Sequence, residues 1–199
     1  LKDDLIGLGA TKKFIAQIFA ALIIAYIGDV RISSFHGIFG IYEIAYPLSI
    51  LLTVFVNIFI YNSFNLIDGV DGLAGSLGLI GSLTFATCFY LTGAMGDFLL
   101  CVGFAAVLIG FLYYNISPAK TFMGDTGSLF TGFMLALFSI RFIEIVPKSN
   151  SNFFFAPIGI SLAILIIPIF DTIRVFIFRI IRGKSPFLAD SNHLHHRFL

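Results

Sequence analysis

The chain has 199 residues, 58% of them hydrophobic and only 12% charged, with a mean hydropathy of +1.00. Soluble domains carry about a quarter charged residues, so water is not the main solvent of this chain. The net charge is +1 and no basic run suits nucleic acid.

A helix crosses the hydrocarbon core with about 20 mostly apolar residues. Six segments qualify, at Phe14–Gly28, Tyr46–Tyr61, Ala74–Thr92, Phe98–Tyr114, Leu129–Val146 and Phe153–Phe178. None shows the alternation of a membrane barrel. The expected fold is therefore all-α: a polytopic integral membrane protein with about six transmembrane helices, forming one membrane-embedded domain over residues 1–199. The second segment is short, so its ends extend into the adjoining loops. The sixth contains Pro168, which removes a helical hydrogen bond and is expected to kink it. Cys88 and Cys101 lie inside apolar runs and read as buried small hydrophobes. The chain starts at Leu1 with charged residues directly behind it, and it stops at Phe198-Leu199. This pattern suggests a fragment cut at both ends, with a processed mature protein as the alternative.

Six crossings place both ends of the chain on one side. That side collects Lys2, Lys12 and Lys13, the loop Asn62–Leu73, the loop Asn115–Gly127 with Lys120, and the tail with Arg179, Arg182, Lys184 and Arg197. The other side holds Asp29–Ala45 with Arg31, a short turn at Gly93–Asp97, and Pro147–Asn152 with Lys148. Excess Lys and Arg marks the cytoplasmic side. The loops dense in Asp, Asn, Gly and His fall on that same side, although those residues were not used to assign it. A cytoplasmic active site is expected.

The inner loops supply the candidate chemistry. Asp3-Asp4 form an adjacent pair; Asp68 and Asp71 lie in Asn62-Ser-Phe-Asn65-Leu-Ile-Asp68-Gly-Val-Asp71-Gly-Leu; Asp125 lies in Phe122-Met-Gly-Asp-Thr-Gly-Ser128. Asp68 and Asp71 are spaced to share a helix face, and the glycines beside them let a phosphate approach the backbone. Ionisable groups at a membrane boundary are costly unless solvated or paired, which makes them functional candidates. Five carboxylates from three loops would repel one another, and a divalent cation relieves that. Oxygen ligands without thiolates suit Mg²⁺ or Mn²⁺. The tail carries His193, His195 and His196 beside Arg197. These either ligate a transition metal such as Zn²⁺ or donate hydrogen bonds to a polyphosphate, and the latter is favoured. Asp171 and Arg174, at i,i+3, are read equally as a structural pair and as part of a site. The bland alternative for each loop is a solvated connection.

Three motifs then occur in order: Asn-x-x-Asn-Leu-Ile-Asp-Gly-x-Asp-Gly-Leu-Ala at 62–74, Phe-Met-Gly-Asp-x-Gly-Ser-Leu at 122–129, and His-x-His-His-Arg at 193–197. Together they resemble the polyprenyl-phosphate N-acetylhexosamine-1-phosphate transferases. That superfamily includes the enzymes that start O-antigen, enterobacterial common antigen and wall teichoic acid synthesis, and the phospho-MurNAc-pentapeptide translocase. The tail is more similar to the GlcNAc-1-phosphate branch. The resemblance covers the whole chain, since Asp3-Asp4 and Lys12-Lys13 match the family's Asp-Asp loop and the following helix start. Asp-Asp-Leu-Ile-Gly-Leu departs from the commoner Asp-Asp-Leu-Lys-Gly, which puts nearby basic contacts in doubt.

The resemblance implies a ten- or eleven-helix fold of which these segments are the middle. It implies transfer of a sugar-1-phosphate, first of all GlcNAc-1-phosphate, from a UDP-sugar to a polyprenyl (undecaprenyl) phosphate with release of UMP. This would be the first membrane step of an envelope polysaccharide, at the cytoplasmic face of a bacterial inner membrane. It implies Asp125 as a Mg²⁺ ligand, with Asp68 and Asp71 in or near the metal and diphosphate site. Asp3 and Asp4 would hold or deprotonate the lipid phosphate. Asn62 and Asn65 would shape the nucleotide-sugar pocket. His193, His195, His196 and Arg197 would bind the diphosphate, and Lys12 or Lys13 would make a further phosphate contact. Homodimers are frequent in the family. Two rivals differ in class: an ion-coupled transporter, whose carboxylates belong near the bilayer midplane, and an intramembrane aspartyl protease, with two Asp facing each other within helices.

Overall fold

A computed structural model describes residues 10–146 and 156–183. The described elements are helices α1 (Ala10–Leu22), α2 (Tyr46–Ile67), α3 (Leu73–Leu91), α4 (Met95–Asn115), α5 (Gly124–Ile145), α6 (Pro157–Ile164) and α7 (Ile166–Ile181). Among the described residues the only β pairing is an isolated antiparallel bridge, Ser34 to Glu43. The all-α expectation holds.

Four helices, α2 to α5, are long and apolar enough to cross a membrane, and the bent pair α6–α7 makes a fifth if counted as one span. About six were expected, and the first segment accounts for the difference. Its α-helical part has 13 residues, a rise of about 20 Å, short of the roughly 30 Å hydrocarbon core. Beyond Leu22 the helix widens into a π turn over Ile23–Ile27. The sixth segment bends by 72° at Leu165. Pro168 follows the break, in the first turn of α7. It has no N–H for the Ile164 carbonyl, and its ring crowds that group, so the bend falls just ahead of the proline.

Glycines set how closely the helices pack. On α3, a Cβ at Gly75 would lie 2.8 Å from Leu112 of α4, and one at Gly78 would lie 2.8 Å from Thr131 of α5. On α5, a Cβ at Gly132 would lie 2.8 Å from the Tyr61 Cα and 3.0 Å from the Ile60 carbonyl oxygen of α2. Where lipid replaces water, such small residues let backbones approach and gain dispersion contact. Between these contacts Phe85, Phe89, Phe104, Phe138 and Phe142 build an aromatic core. Several of its rings meet edge-on at centroid separations near 6 Å, such as Phe89–Phe142 at 6.1 Å.

α2 also buries a polar row. Ser49, Thr53, Asn57, Tyr61 and Asn65 recur every fourth residue and so share one face. Within it the Asn57 amide donates to the Thr53 carbonyl at 2.8 Å and the Tyr61 hydroxyl donates to Asn57 Oδ1 at 3.1 Å. The row is hydrogen-bonded rather than orphaned, as burial in lipid requires.

Candidate active site

The site forms where the start of α1, the end of α2 and the start of α5 converge. The Gly132–Tyr61 approach fixes the register of two antiparallel helices. One turn further along each, Asn65 faces Ser128, with Asp125 beside it. The Asn65 amide donates to Asp125 Oδ1 at 3.1 Å and to the Ser128 hydroxyl at 3.0 Å. Lys13 of α1 forms an ion pair with the other Asp125 oxygen. Asn62 donates to Gln17 Oε1 at 3.0 Å, which fastens α1 to α2.

Five site residues are placed differently from the sequence expectation. Asn62 and Asn65 were placed in a loop, but α2 continues to Ile67 and carries both. The asparagines bond inward to helix and site groups, so the polar composition did not end the helix. Asp125 was also placed in a loop, but it lies in the first turn of α5. There the unpaired N–H groups and the helix dipole favour a negative charge by about 0.3–1 kcal/mol. Asp68 and Asp71 do not share a helix face. Asp68 caps α2, and Asp71 lies in the turn before α3, where Gly72 takes φ +76°.

Asp68 is half-buried. Burial first, and the neighbouring Asp125 carboxylate second, push its carboxyl up to about 6. The Asp125 side chain is 44% exposed, so the desolvation is that of Asp68, and the repulsion between the two carboxylates adds to it. Asp71 is exposed, and its Oδ2 accepts the Ala119 N–H at 3.3 Å. The structure separates the adjacent lysines: Lys13 reaches Asp125, whereas Lys12 is exposed. Asp3, Asp4, His193, His195, His196 and Arg197 lie outside the described residues. The Asp171–Arg174 pair is formed, at 2.6 Å on α7.

Sequence reasoning missed Asn115. Its side chain is 4% exposed. Its Oδ1 accepts the Gly72 N–H at 3.0 Å and its Nδ2 donates to the Thr121 carbonyl at 2.8 Å. One amide thus ties the Asp68–Asp71 turn to the stretch leading to Asp125. Its only sequence signal was the strip Asn115-Ile-Ser117, which resembles a glycosylation pattern. Gln17 was missed likewise, because a lone amide on an apolar helix carries no motif, and Ser128 stood in the 122–129 motif without a role assigned to it.

Two acidic side chains could share a divalent ion. Among the described residues no group of three His, Cys, Asp or Glu gathers closely enough to hold a metal. Asp68 and Asp125 nonetheless fit Mg²⁺, which commonly takes one or two carboxylates and fills its remaining positions with phosphate and water. The donors are oxygens, and a cation would relieve the repulsion that raises Asp68. Both carboxylates sit at helix ends rather than at mid-span, unlike the arrangement a transporter or an intramembrane protease requires.

Helices long and apolar enough to cross a membrane thus bring acids, a lysine and amides together at one end. The model for glycosyl transferase family 4 matches residues 1–143, and the chain belongs to this family. It is 37% identical over 202 residues to the probable undecaprenyl-phosphate N-acetylglucosaminyl 1-phosphate transferase of Bacillus subtilis, covering 99% of this chain and 53% of that protein. It is 36% identical to the decaprenyl-phosphate N-acetylglucosaminephosphotransferase of Mycolicibacterium smegmatis, over 100% of this chain and 53% of that protein. It is also 41% identical over 143 residues to the phospho-N-acetylmuramoyl-pentapeptide-transferase of Staphylococcus carnosus, covering 67% of this chain and 44% of that protein. The chain spans about half the length of these curated relatives.

Proposed function

We propose that this chain forms the catalytic part of a transferase that moves a sugar-1-phosphate from a UDP-sugar to a polyprenyl phosphate and releases UMP. The observation that carries this reading is the meeting of Asp68, Asp125, Lys13 and Asn65 at one end of lipid-crossing helices. A water-soluble nucleotide sugar can reach that end while a lipid acceptor keeps its tail in the bilayer. The names of the relatives, which pair a polyprenyl phosphate with an N-acetylglucosaminyl phosphate, support UDP-GlcNAc as the first substrate. By the distribution of Lys and Arg this end faces the cytoplasm.

The reaction forms one phosphorus–oxygen bond and breaks another. An oxygen of the lipid phosphate attacks the β-phosphorus of the UDP-sugar. The bond from that phosphorus to the bridging oxygen breaks, and the oxygen leaves with UMP. Both reactants are anions, so the barrier is largely electrostatic. Mg²⁺, with Mn²⁺ as substitute, would be held by Asp125 and Asp68 and would supply positive charge at the diphosphate. Asn65 holds the Asp125 carboxylate in orientation. Lys13, paired with Asp125 in the absence of substrate, is placed to turn its ammonium to an incoming phosphate. Asp3 and Asp4 would receive the lipid phosphate, and His193, His195, His196 and Arg197 would donate to the nucleotide diphosphate. Asp71 lies at the rim, on the turn that Asn115 fixes.

The test uses the full-length protein in membranes with UDP-GlcNAc, polyprenyl phosphate and Mg²⁺, and reads UMP. Asp125→Asn keeps the shape and removes the charge. UMP release should fall by about 10²-fold or more, the size typical of losing one preorganised electrostatic group. Near-parental release from that variant would sink the proposal, as would no UMP release from the parent with any UDP-N-acetylhexosamine.

A further inference from the structure

At the end of the helices opposite Asp125, residues 28–45 do not form a featureless connection. Phe35 donates its N–H to the Tyr42 carbonyl at 3.2 Å, Gly37 to Ile41 at 3.0 Å and Ile44 to Ser33 at 2.9 Å, so the strip folds back as a short hairpin. Its base is clamped to the spans. The Ile32 N–H donates to Thr53 Oγ1 at 2.9 Å, and the Ser49 hydroxyl donates to the Ile32 carbonyl at 2.6 Å. Ser33 donates twice to Glu144, near the end of α5, at 2.8 Å each. Thr53 lies seven residues into α2, about 10 Å along its axis. The base therefore lies beside the second turn of the helix rather than above its end.

The tip has the wrong chemistry for a loop in water. From Ile32 to Tyr42 there is no Asp, Glu, Lys or Arg, and His36 is the one titratable side chain besides Tyr42. Phe39 is 93% exposed and Tyr42 68%, and Ile38 and Ile41 are exposed as well. Phe39 also takes φ +56°, where glycine or asparagine would sit with less strain. An aromatic held outward at such a position needs a partner that rewards it. Tyr46 and Leu48, at the start of the candidate span α2 into which the strip leads, are exposed as well. One isolated bridge leaves hairpin edges unpaired, and unpaired edges are not tolerated in the hydrocarbon core. The headgroup region satisfies both demands, since it hydrates backbone groups and accepts aromatic rings.

We propose that this hairpin is a lipid-contacting element, seating Phe39 and Tyr42 in the headgroup region of the leaflet opposite the carboxylate site. The occupant of the apolar tip is the bilayer surface.

The chain contains no tryptophan, so Phe39→Trp provides a local fluorescent reporter against the unsubstituted protein as background. Tyr42→Trp serves as the second reporter should the first fail to fold. The protein is reconstituted in phosphatidylcholine vesicles containing lipids brominated either near the carbonyls or near the chain ends. The expected result is blue-shifted emission, shielded from aqueous iodide and quenched most strongly by the shallow bromines. Water-like emission open to iodide and indifferent to brominated lipid overturns the proposal. So does blue-shifted emission that no brominated lipid quenches, which would mean that protein covers the tip. Stronger quenching by deep than by shallow bromines would overturn the headgroup placement.

Discussion

Asn115 joins two chain segments through a single amide, with an acceptor used on the Gly72 side and a donor on the Thr121 side. Neither segment is a helix at that point, and the other tie between them is the longer contact from the Ala119 N–H to Asp71, at 3.3 Å. Replacing Asn115 by Ala leaves a buried N–H and a carbonyl without partners, at a cost of about 1–3 kcal/mol. The expected outcome is a lowered unfolding temperature together with a raised KM for the nucleotide sugar, measured by thermal unfolding and by UMP-release kinetics. Loss of stability with an unchanged KM would show that the tie does not position the site. At this scale the sequence was informative wherever chemistry is concentrated in a motif. The carboxylates of 62–74 and 122–129 stood out because a connection needs no such density of Asp, Asn and Gly. Isolated partners did not stand out. Lys12 and Lys13 are indistinguishable as letters, and only the packing of α1 on α2 turns one of them toward Asp125.

Helix boundaries near the site were harder to read than helix existence. The second apolar segment stops at Tyr61 and was too short to span, so its ends were expected to extend into the adjoining loops; the helix runs to Ile67. The polar residues past Tyr61 explain this: Asn62 and Ser63 donate back to the Ile58 and Phe59 carbonyls of the helix, and Asn65 bonds across to α5, so none of them needs water. A four-residue polar period hidden in an apolar helix is diluted in any hydropathy window. The glycines are likewise silent until their neighbours are known. Gly132 meets backbone rather than a flexible side chain, so neither helix can yield cheaply. Gly132→Ala should destabilise the protein by about 1–3 kcal/mol and lower UMP release even in the fraction that remains folded. Thermal unfolding and activity per folded molecule check this, and unchanged activity per folded molecule would show that α2 and α5 realign without consequence.

At the scale of the whole molecule, ion pairs among the described residues tie the spans at both ends. At the end away from the carboxylates, Arg141 donates to both Asp97 oxygens, at 2.9 and 2.8 Å, and joins α5 to the first turn of α4. The Asp97 side chain is 16% exposed. An acid left alone there loses a charge-assisted pair, so removing one partner is worse than removing both. Arg141→Met should lower thermal stability more than the double variant with Asp97→Asn, and equal losses would mark the pair as a solvated contact. The sequence made this end look sparse, because its charges are scattered over two helices and one connection. Their pairing depends on tertiary packing that no local pattern encodes.

Asn65 and Asp125 both ride on helices rather than on loops, and Gly132 lets those helices touch. Sliding α2 past α5 by one residue, about 1.5 Å, would strain the hydrogen bonds from the Asn65 amide to Asp125 and Ser128. Catalytic alignment is thus a vernier reading of two rods, and any force that shifts one rod along the other would be registered at the acid before it disturbed the fold.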